Sequence, residues 1–510
     1  MRQLTLWESL GEAAHRSPDR VYCSFGDTDV TLRELRARAV DMAGRLAASG
    51  VARGDRVAVM LPNCPAHLDL VMGLLALGAV YVPLNVRAKG PGLAHILAQS
   101  EPVLVVADES TREALGAAVK DSGWSGALHW LAGSARLFGE SASLPPDVER
   151  SVHDVVSISY TSGTTGPPKG VKVTDAMLRV CAGGVATATD AEDGDVYLMW
   201  EPFFHVGGLQ MLFLAFLRDV RLHILPRFSA SRFWDQARAC GARHIHYLGG
   251  VVQILLRQPP SPDDRDHSVR TAWGAGATEE TWREFERRFG VRLREVYGLT
   301  ESSSINTVNV QSRVGSIGRA IPGFDVQVVD QAGTPVRPGE RGEIRILGVP
   351  GAMTPGYFRN EEATAALLRP GGWLYTGDLA TADEDGYLYF LGRMTDNVRV
   401  GGENVSAWEV ESVARAHPQV ADCAVVGVKG EVGEQDILLY VQRVAGPEVS
   451  EQEIVDWCRN GLAPYQVPRY VAWVEEFSRG PSMRILKDRL AATPDGAWDR
   501  VVAEVHRCGR

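Results

Sequence analysis

Between residues 160 and 171 the chain reads Tyr-Thr-Ser-Gly-Thr-Thr-Gly-Pro-Pro-Lys-Gly-Val, a run made largely of groups that grip anions. Glycines let backbone N–H groups approach an anion closely, and hydroxyls with the Lys169 ammonium add charge-assisted hydrogen bonds. This is a phosphate clamp. It is not a Walker loop, because Lys169 lies between Pro168 and Gly170 and not before Ser or Thr at the mouth of a helix. A second chemical group follows at Tyr297-Gly298-Leu299-Thr300-Glu301. There Glu301 suits a carboxylate that holds Mg²⁺ against phosphates, since Mg²⁺ takes one or two carboxylates and completes its shell with substrate oxygens. A third comprises Thr376-Gly377-Asp378 and Gly392-Arg393. An Asp placed after a turn can take both hydroxyls of a ribose, and Arg393 can reinforce that grip.

These groups need elements to hold them. Val155, Val156, Ile158 and Tyr160 predict a strand that empties into the phosphate loop. Upstream, Thr31 and Glu34 form a capping box, and Leu32, Leu35, Ala39, Met42 and Leu46 mark one helical face ending at Gly50. A strand over 56–62, a helix over 94–99 and a strand over 103–107 continue the alternation. Repeated helix–strand units imply largely parallel sheets covered by helices. Beyond about residue 315 the pattern shifts to short hairpins, with strands over 343–347 and 386–391 and a turn at Asp383–Gly386. Past Arg393 a small α+β tail is expected. It has capping boxes at Ser406/Glu409 and Ser450/Glu453, and strands over 424–428, 437–441 and 470–474.

At 510 residues the chain is too long for one core and should divide into at least two domains. Lys and Arg number 53 against 63 Asp and Glu, a net charge of −10, which argues against a broad nucleic-acid footprint. The longest apolar stretch, Leu70–Leu84, is broken by Gly73, Gly78 and Pro83 and is shorter than the roughly 20 residues a bilayer span needs. It reads as a buried helix turning into a strand, so no membrane partner is expected. Seven scattered cysteines without a Cys-x-x-Cys fit a reducing cytoplasm better than a disulfide framework.

Together the motifs resemble the adenylate-forming superfamily of acyl-CoA synthetases, peptide-synthetase adenylation domains and beetle luciferases. The resemblance runs through Gly54–Val57, Leu61–Asn63, Gly78–Asn85, the phosphate loop, Pro202–Gly208, Gly274–Ala277, Tyr297–Glu301, Gly315–Arg319, Gly356-Tyr357, Thr376–Asp378 and Gly401–Val405. It is greatest to freestanding acyl- or aryl-CoA ligases. It implies an α/β protein whose large N-terminal domain, residues 1–395, combines helix-covered, largely parallel sheets with a small barrel-like β part. A small mobile α+β C-terminal domain, 396–510, would follow, with Asp396 at the hinge. It also implies ATP and Mg²⁺, with CoA as co-substrate.

Carried over residue by residue, Thr161, Ser162, Gly163, Thr164, Thr165, Gly166 and Lys169 should hold the β,γ-phosphates. Gly274, Ala275, Gly276, Ala277 and Tyr297, with Gly298 beside it, should flank adenine. Thr300 should touch the α-phosphate, Glu301 the Mg²⁺, and Asp378 with Arg393 the ribose. His205 matches the aromatic gate of the acid pocket, whose walls should be Gly207, Gly208, His246, Tyr247, Leu248, Gly249 and Trp273. His246 and Tyr247, two polar rings near His205, favour a small polar or aromatic acid over a long alkyl chain.

One departure stands out. The family ends with a Gly-Lys pair, an aliphatic pair and a basic residue, and its Lys bridges acid and α-phosphate. Here the chain reads Ser482-Met483-Arg484-Ile485-Leu486-Lys487. The register set by Ile485-Leu486 puts Arg484 in the place of the Lys, a wide planar fork where the family has a slender point charge. The expected function is ATP-dependent activation of a small acid as acyl-AMP and transfer to the CoA thiol. Two alternatives are adenylation of an oxyanion such as nitrite with transfer to an aryl amine, and nucleotide binding without turnover.

Overall fold

The computed structural model describes residues 3–131, 149–161, 167–394, 397–400, 403–430, 435–446, 449–462, 464–480 and 484–503. By compactness the chain forms two units, Met1–Val326 with Ile346–Tyr375, and Gln327–Arg345 with Thr376–Arg510.

The first unit is built on two sheets. One has nine strands, in the order Arg319–Ala320, Thr307–Val308, Arg292–Tyr297, Thr271–Ala275, His244–Leu248, Val196–Met199, Arg221–Ile224, Val21–Phe25, Thr28–Thr31. Its six consecutive strands from Arg292–Tyr297 to Val21–Phe25 are parallel, and antiparallel strands close both edges. The other has six strands, in the order Ala127–Leu131, Leu104–Asp108, Arg56–Met60, Val80–Pro83, Val155–Thr161, Lys169–Thr174, all parallel except the last pair.

Local chemistry explains the helices that cover them. Thr31 Oγ1 accepts from the Glu34 N–H and the Glu34 carboxylate accepts from the Thr31 N–H, starting the helix Leu32–Ala48. The helix Pro65–Leu77 is buried nearly all round, begins with proline and stops at left-handed Gly78 before Val80–Pro83. The apolar stretch there is thus a core helix and a core strand. The main core joins Val57 and Val59 of one sheet to Leu222 and Trp273 of the other through Met177, Leu212 and Phe213 on intervening helices. No described helix is long and apolar enough to cross a membrane. The six described cysteines are free.

A four-stranded sheet in the order Phe324–Val329, Gly342–Gly348, Leu374–Ala382, Leu388–Arg393 stands where the barrel-like part is expected. The tail that follows has a sheet of Val420–Lys429, Gln435–Arg443, Tyr470–Val474 and Trp498–Asp499. Its core residues Val425, Leu439 and Val471 pack with Val410 of helix Ala407–Arg415 and Ile454 of helix Glu451–Gly461. The Ser450/Glu453 capping box is present. Asp396, the expected hinge, lies outside the described residues.

Candidate functional site

The phosphate loop is the turn of a β-hairpin. Strand Val155–Thr161 runs antiparallel to Lys169–Thr174, and Thr161 pairs with Lys169 across the ladder. A strand-to-strand turn, unlike a Walker loop, presents its cation from the first residue of the returning strand. Ser162, Gly163, Thr164, Thr165 and Gly166 lie outside the described residues. Along the outer edge of Lys169–Thr174, the Phe358 N–H donates to the Gly170 carbonyl at 2.7 Å and the Lys172 N–H to the Gly356 carbonyl at 3.2 Å. This brings Tyr357 beside Lys169, whose Nζ is 5.5 Å from the ring centroid.

The Tyr357 hydroxyl donates to Glu301 Oε1 at 2.7 Å, and the Thr354 N–H donates to the Glu301 carbonyl at 2.8 Å. Burial and the neighbouring carboxylate push the Tyr357 hydroxyl well above its usual range, so it remains a donor. Thr300 and Glu301 sit on a short 3₁₀ turn, followed by Ser303 and Ser304 with φ of 62° and 65°. Two adjacent left-handed non-glycine residues are costly and persist only where surroundings fix them. Here Ser302 Oγ donates to Asn306 Oδ1 and Asn306 Nδ2 to the Ser302 carbonyl, both at 2.6 Å, and Ser303 Oγ donates to the Ala352 carbonyl at 2.6 Å. Glu301 is only 6% exposed. No group of three or more His, Cys, Asp or Glu suited to a metal occurs among the described residues. A lone buried carboxylate fits Mg²⁺ completed by nucleotide oxygens.

Beside this cluster, Gly298 comes so close to the returning chain that a Cβ would lie 2.3 Å from the Ser304 carbonyl oxygen. Gly274 is equally constrained, 1.9 Å from the Tyr247 carbonyl oxygen. Ala275, the last residue of its strand, and Gly276 after it are exposed. A residue that sequence reasoning missed organises this loop. Glu295 accepts from the Gly276 N–H at 3.1 Å, the Ala277 N–H at 2.7 Å and the Tyr247 hydroxyl at 2.9 Å. Its signal was legible: it stands two residues before Tyr297 on one strand, hence on the same face.

Burial raises the Glu295 carboxyl from 4.5 to about 7 against those three donors. The native chain therefore keeps a proton that the unfolded chain has released, and the stability that this group contributes falls as pH rises from about 4.5 to about 7. In Glu295→Gln this slope should vanish, a difference of roughly 3 kcal/mol at most between the ends of the window. Urea unfolding at a series of pH values checks this, and an unchanged slope would remove Glu295 as its source.

The expected pocket residues do not all share a face. His205 caps the helix Val206–Leu217, which begins with Gly207 and Gly208. Burial lowers its pKa to about 4, so the ring is neutral at neutral pH. Its Nε2 has no hydrogen-bond partner among the described residues. His246 pairs across parallel strands with Trp273, the ring centroids 4.4 Å apart, and Trp200 Nε1 donates to the His246 carbonyl at 3.0 Å. Tyr247 points the other way, as alternation along a strand requires. It is 1% exposed, belongs to the second core with Phe285 and Trp282, and spends its hydroxyl on Glu295. His246 and Tyr247 are therefore not two rings of one wall. Leu248 ends the strand and Gly249 opens the following helix.

In the second unit, Asp378 and Arg393 are cross-strand partners, with Arg393 Nε 3.1 Å from Asp378 Oδ1. Asp378 lies inside the nine-residue strand Leu374–Ala382, not after a turn; the Thr-Gly signal marks left-handed Gly377 within the strand. Arg484 is exposed, and its carbonyl accepts from the Gly480 N–H at 2.8 Å beside the Arg479–Ile485 bridge. Lys487 is engaged elsewhere, its Nζ 2.8 Å from Glu411 Oε1. Met483 lies outside the described residues.

Two largely parallel sheets, the Val155–Thr161/Lys169–Thr174 hairpin and a buried acidic turn at Glu301 are what an adenylate-forming enzyme would carry. The family profile for AMP-binding enzymes matches residues 10–358, and that for their C-terminal domain matches 409–483. The chain belongs to this family of ATP-dependent, AMP-forming ligases. It is similar to the crotonobetaine/carnitine–CoA ligase of Salmonella heidelberg (strain SL476), 34% identical over 463 residues, covering 86% of this chain and 89% of that protein. Among solved structures it is similar to the o-succinylbenzoate CoA synthetase of Bacillus subtilis. The complex with the acyl-adenylate intermediate gives a TM-score of 0.83 at 26% identity, covering 96% and 98% of the two chains. The complex with ATP and magnesium ion gives 0.84 at 28% identity, covering 96% and 99%. ATP and Mg²⁺ are thus the nucleotide and metal of this family.

Proposed function

We propose that this protein activates a small polar or aromatic carboxylic acid with ATP, forming acyl-AMP and pyrophosphate, and passes the acyl group to the CoA thiol. The observation that carries this reading is the convergence of Lys169, Tyr357 and Glu301 at one hairpin. An anionic acid must attack the α-phosphorus of another anion, so charge must be neutralised and attack aligned in line. Lys169 and the Thr161–Gly166 loop hold the β,γ-phosphates, and Thr300 orients the α-phosphate. Glu301, with Tyr357 fixing one of its oxygens, would hold Mg²⁺, which supplies charge stabilisation to the phosphates. Gly274–Ala277, pinned by Glu295, and Tyr297 flank adenine; Asp378 and Arg393 take the ribose. His205, neutral, closes the acid pocket, with Gly207, Gly208, His246, Leu248, Gly249 and Trp273 along it. The C-terminal domain, 396–510, turns about Asp396 between the two half-reactions, which limits hydrolysis of the anhydride.

Relatives that act on crotonobetaine, carnitine and o-succinylbenzoate support a small polar or aromatic acid. A second reading, motivated by Arg484 at the family's Lys position, is adenylation of nitrite and transfer to an aryl amine. Mass-spectrometric screening of acids and nitrite for AMP, with and without CoA, decides between them. We expect AMP and pyrophosphate with a carboxylic acid and a thioester when CoA is added. ADP as sole product, or AMP only with nitrite and an aryl amine, would overturn the leading reading.

A further inference from the structure

The wall that carries His246 also holds an acidic group that the adenylation chemistry does not use. Glu201 is 4% exposed, and its Oε1 lies 3.0 Å from His246 Nδ1. Its Oε2 accepts from the Trp200 N–H at 2.9 Å. Among the described residues no Lys or Arg pairs with it, although buried carboxylates are ordinarily matched by a cation. Two further rings flank its His246 partner: Trp273 at 4.4 Å and Trp200 at 5.8 Å, centroid to centroid.

The backbone keeps this carboxylate in place. Asn63 Nδ2 donates to the Glu201 carbonyl at 2.9 Å, while Asn63 Oδ1 accepts from the Phe203 N–H at 2.9 Å. Gly208 packs so tightly on this turn that a Cβ would lie 2.2 Å from the Pro202 carbonyl oxygen. The segment that ends in His205 and the pocket helix is therefore the one that fixes Glu201. A buried carboxylate without a Lys or Arg partner, beside an acid pocket, disfavours a plain hydrocarbon acid. It favours a molecule that brings its own positive charge at the end away from the reacting carboxylate, held by Coulomb attraction and by cation–π contact.

Resting on the acid-ligase reading above, we propose that the acid activated here carries a cationic nitrogen remote from its carboxylate. Glu201 with the His246, Trp200 and Trp273 rings is the subsite that recognises that nitrogen. A quaternary or primary ammonium both meet this requirement, and the substitution on nitrogen separates them in the test.

The full-length protein would be assayed by ATP–pyrophosphate exchange with matched acids. One pair is 4-(trimethylammonio)butanoate and its carbon isostere 5,5-dimethylhexanoate; the other is 4-aminobutanoate and pentanoate. The expected result is a kcat/KM at least about 10-fold higher for the cationic member of one pair. In Glu201→Gln that ratio should fall to within about twofold, because the amide keeps the shape but not the charge. The wild-type comparison decides the matter even if the variant fails to fold. Neutral isosteres exchanged as well as or better than the cations would overturn this subsite while leaving acid activation intact. A preference unmoved by Glu201→Gln in folded protein would likewise overturn it. Silence with every acid, cationic or neutral, would instead bring down the acid-ligase reading itself.

Discussion

Changing Glu301 to Gln should lower ATP-dependent AMP formation by about two to three orders of magnitude, with little change in thermal unfolding. The two expectations separate because of the local geometry. Glu301 Oε1 accepts from the Tyr357 hydroxyl, and the turn that bears it is held by Ser302, Ser303 and Asn306. A Gln side-chain oxygen can accept the same Tyr357 bond, so the turn keeps its partners. What disappears is the full negative charge that a hard, oxygen-seeking cation requires. The loss should persist as Mg²⁺ is raised, since an amide restores no charge at any concentration. Initial rates of pyrophosphate release across a Mg²⁺ titration would show this. A variant with wild-type rates at saturating Mg²⁺ would move the metal anchor away from Glu301.

How much of this was legible beforehand depends on the range of the interaction. Short-range rules worked where one or two turns decide the structure: the Thr31/Glu34 and Ser450/Glu453 capping boxes start real helices, and Tyr470–Val474 is a strand with the expected bounds. The hairpin Val155–Thr161/Lys169–Thr174 was legible from its apolar approach, though not its antiparallel return. Failures came where the chain brings distant segments together. Composition near residue 246 placed two polar rings on one wall, yet strand alternation turns Tyr247 into the other core. Strand parity puts Glu295 on the face of Tyr297 but does not tell which loop it binds, and nothing local shows that Glu201 would meet His246. Tyr357 was visible only as part of a Gly-Tyr pair, because its contacts with Lys169 and Glu301 exist only after the chain has folded back along the hairpin edge.

The C-terminal substitution offers the second large effect. If Arg484 bridges acid and α-phosphate in the first half-reaction, Arg484→Ala should cut acid-dependent ATP–pyrophosphate exchange by about two to three orders of magnitude. Thioester formation from synthetic acyl-AMP and CoA should stay within about threefold of wild type, since that step needs no cation at the attacked phosphorus. The structure makes the comparison clean. Lys487, the other basic residue of the segment, is held by Glu411, so it cannot simply take over without breaking an ion pair. Arg484 is exposed, and its backbone carbonyl accepts from the Gly480 N–H, a bond that alanine preserves. Arg484→Lys should retain most of the exchange, because a flexible ammonium can reach the same phosphate oxygens, although it gives up the bidentate fork. Equal losses in both half-reactions would point to a damaged fold and not a missing bridge. Full activity of the alanine variant would show that Arg484 does not stand in for the family's lysine.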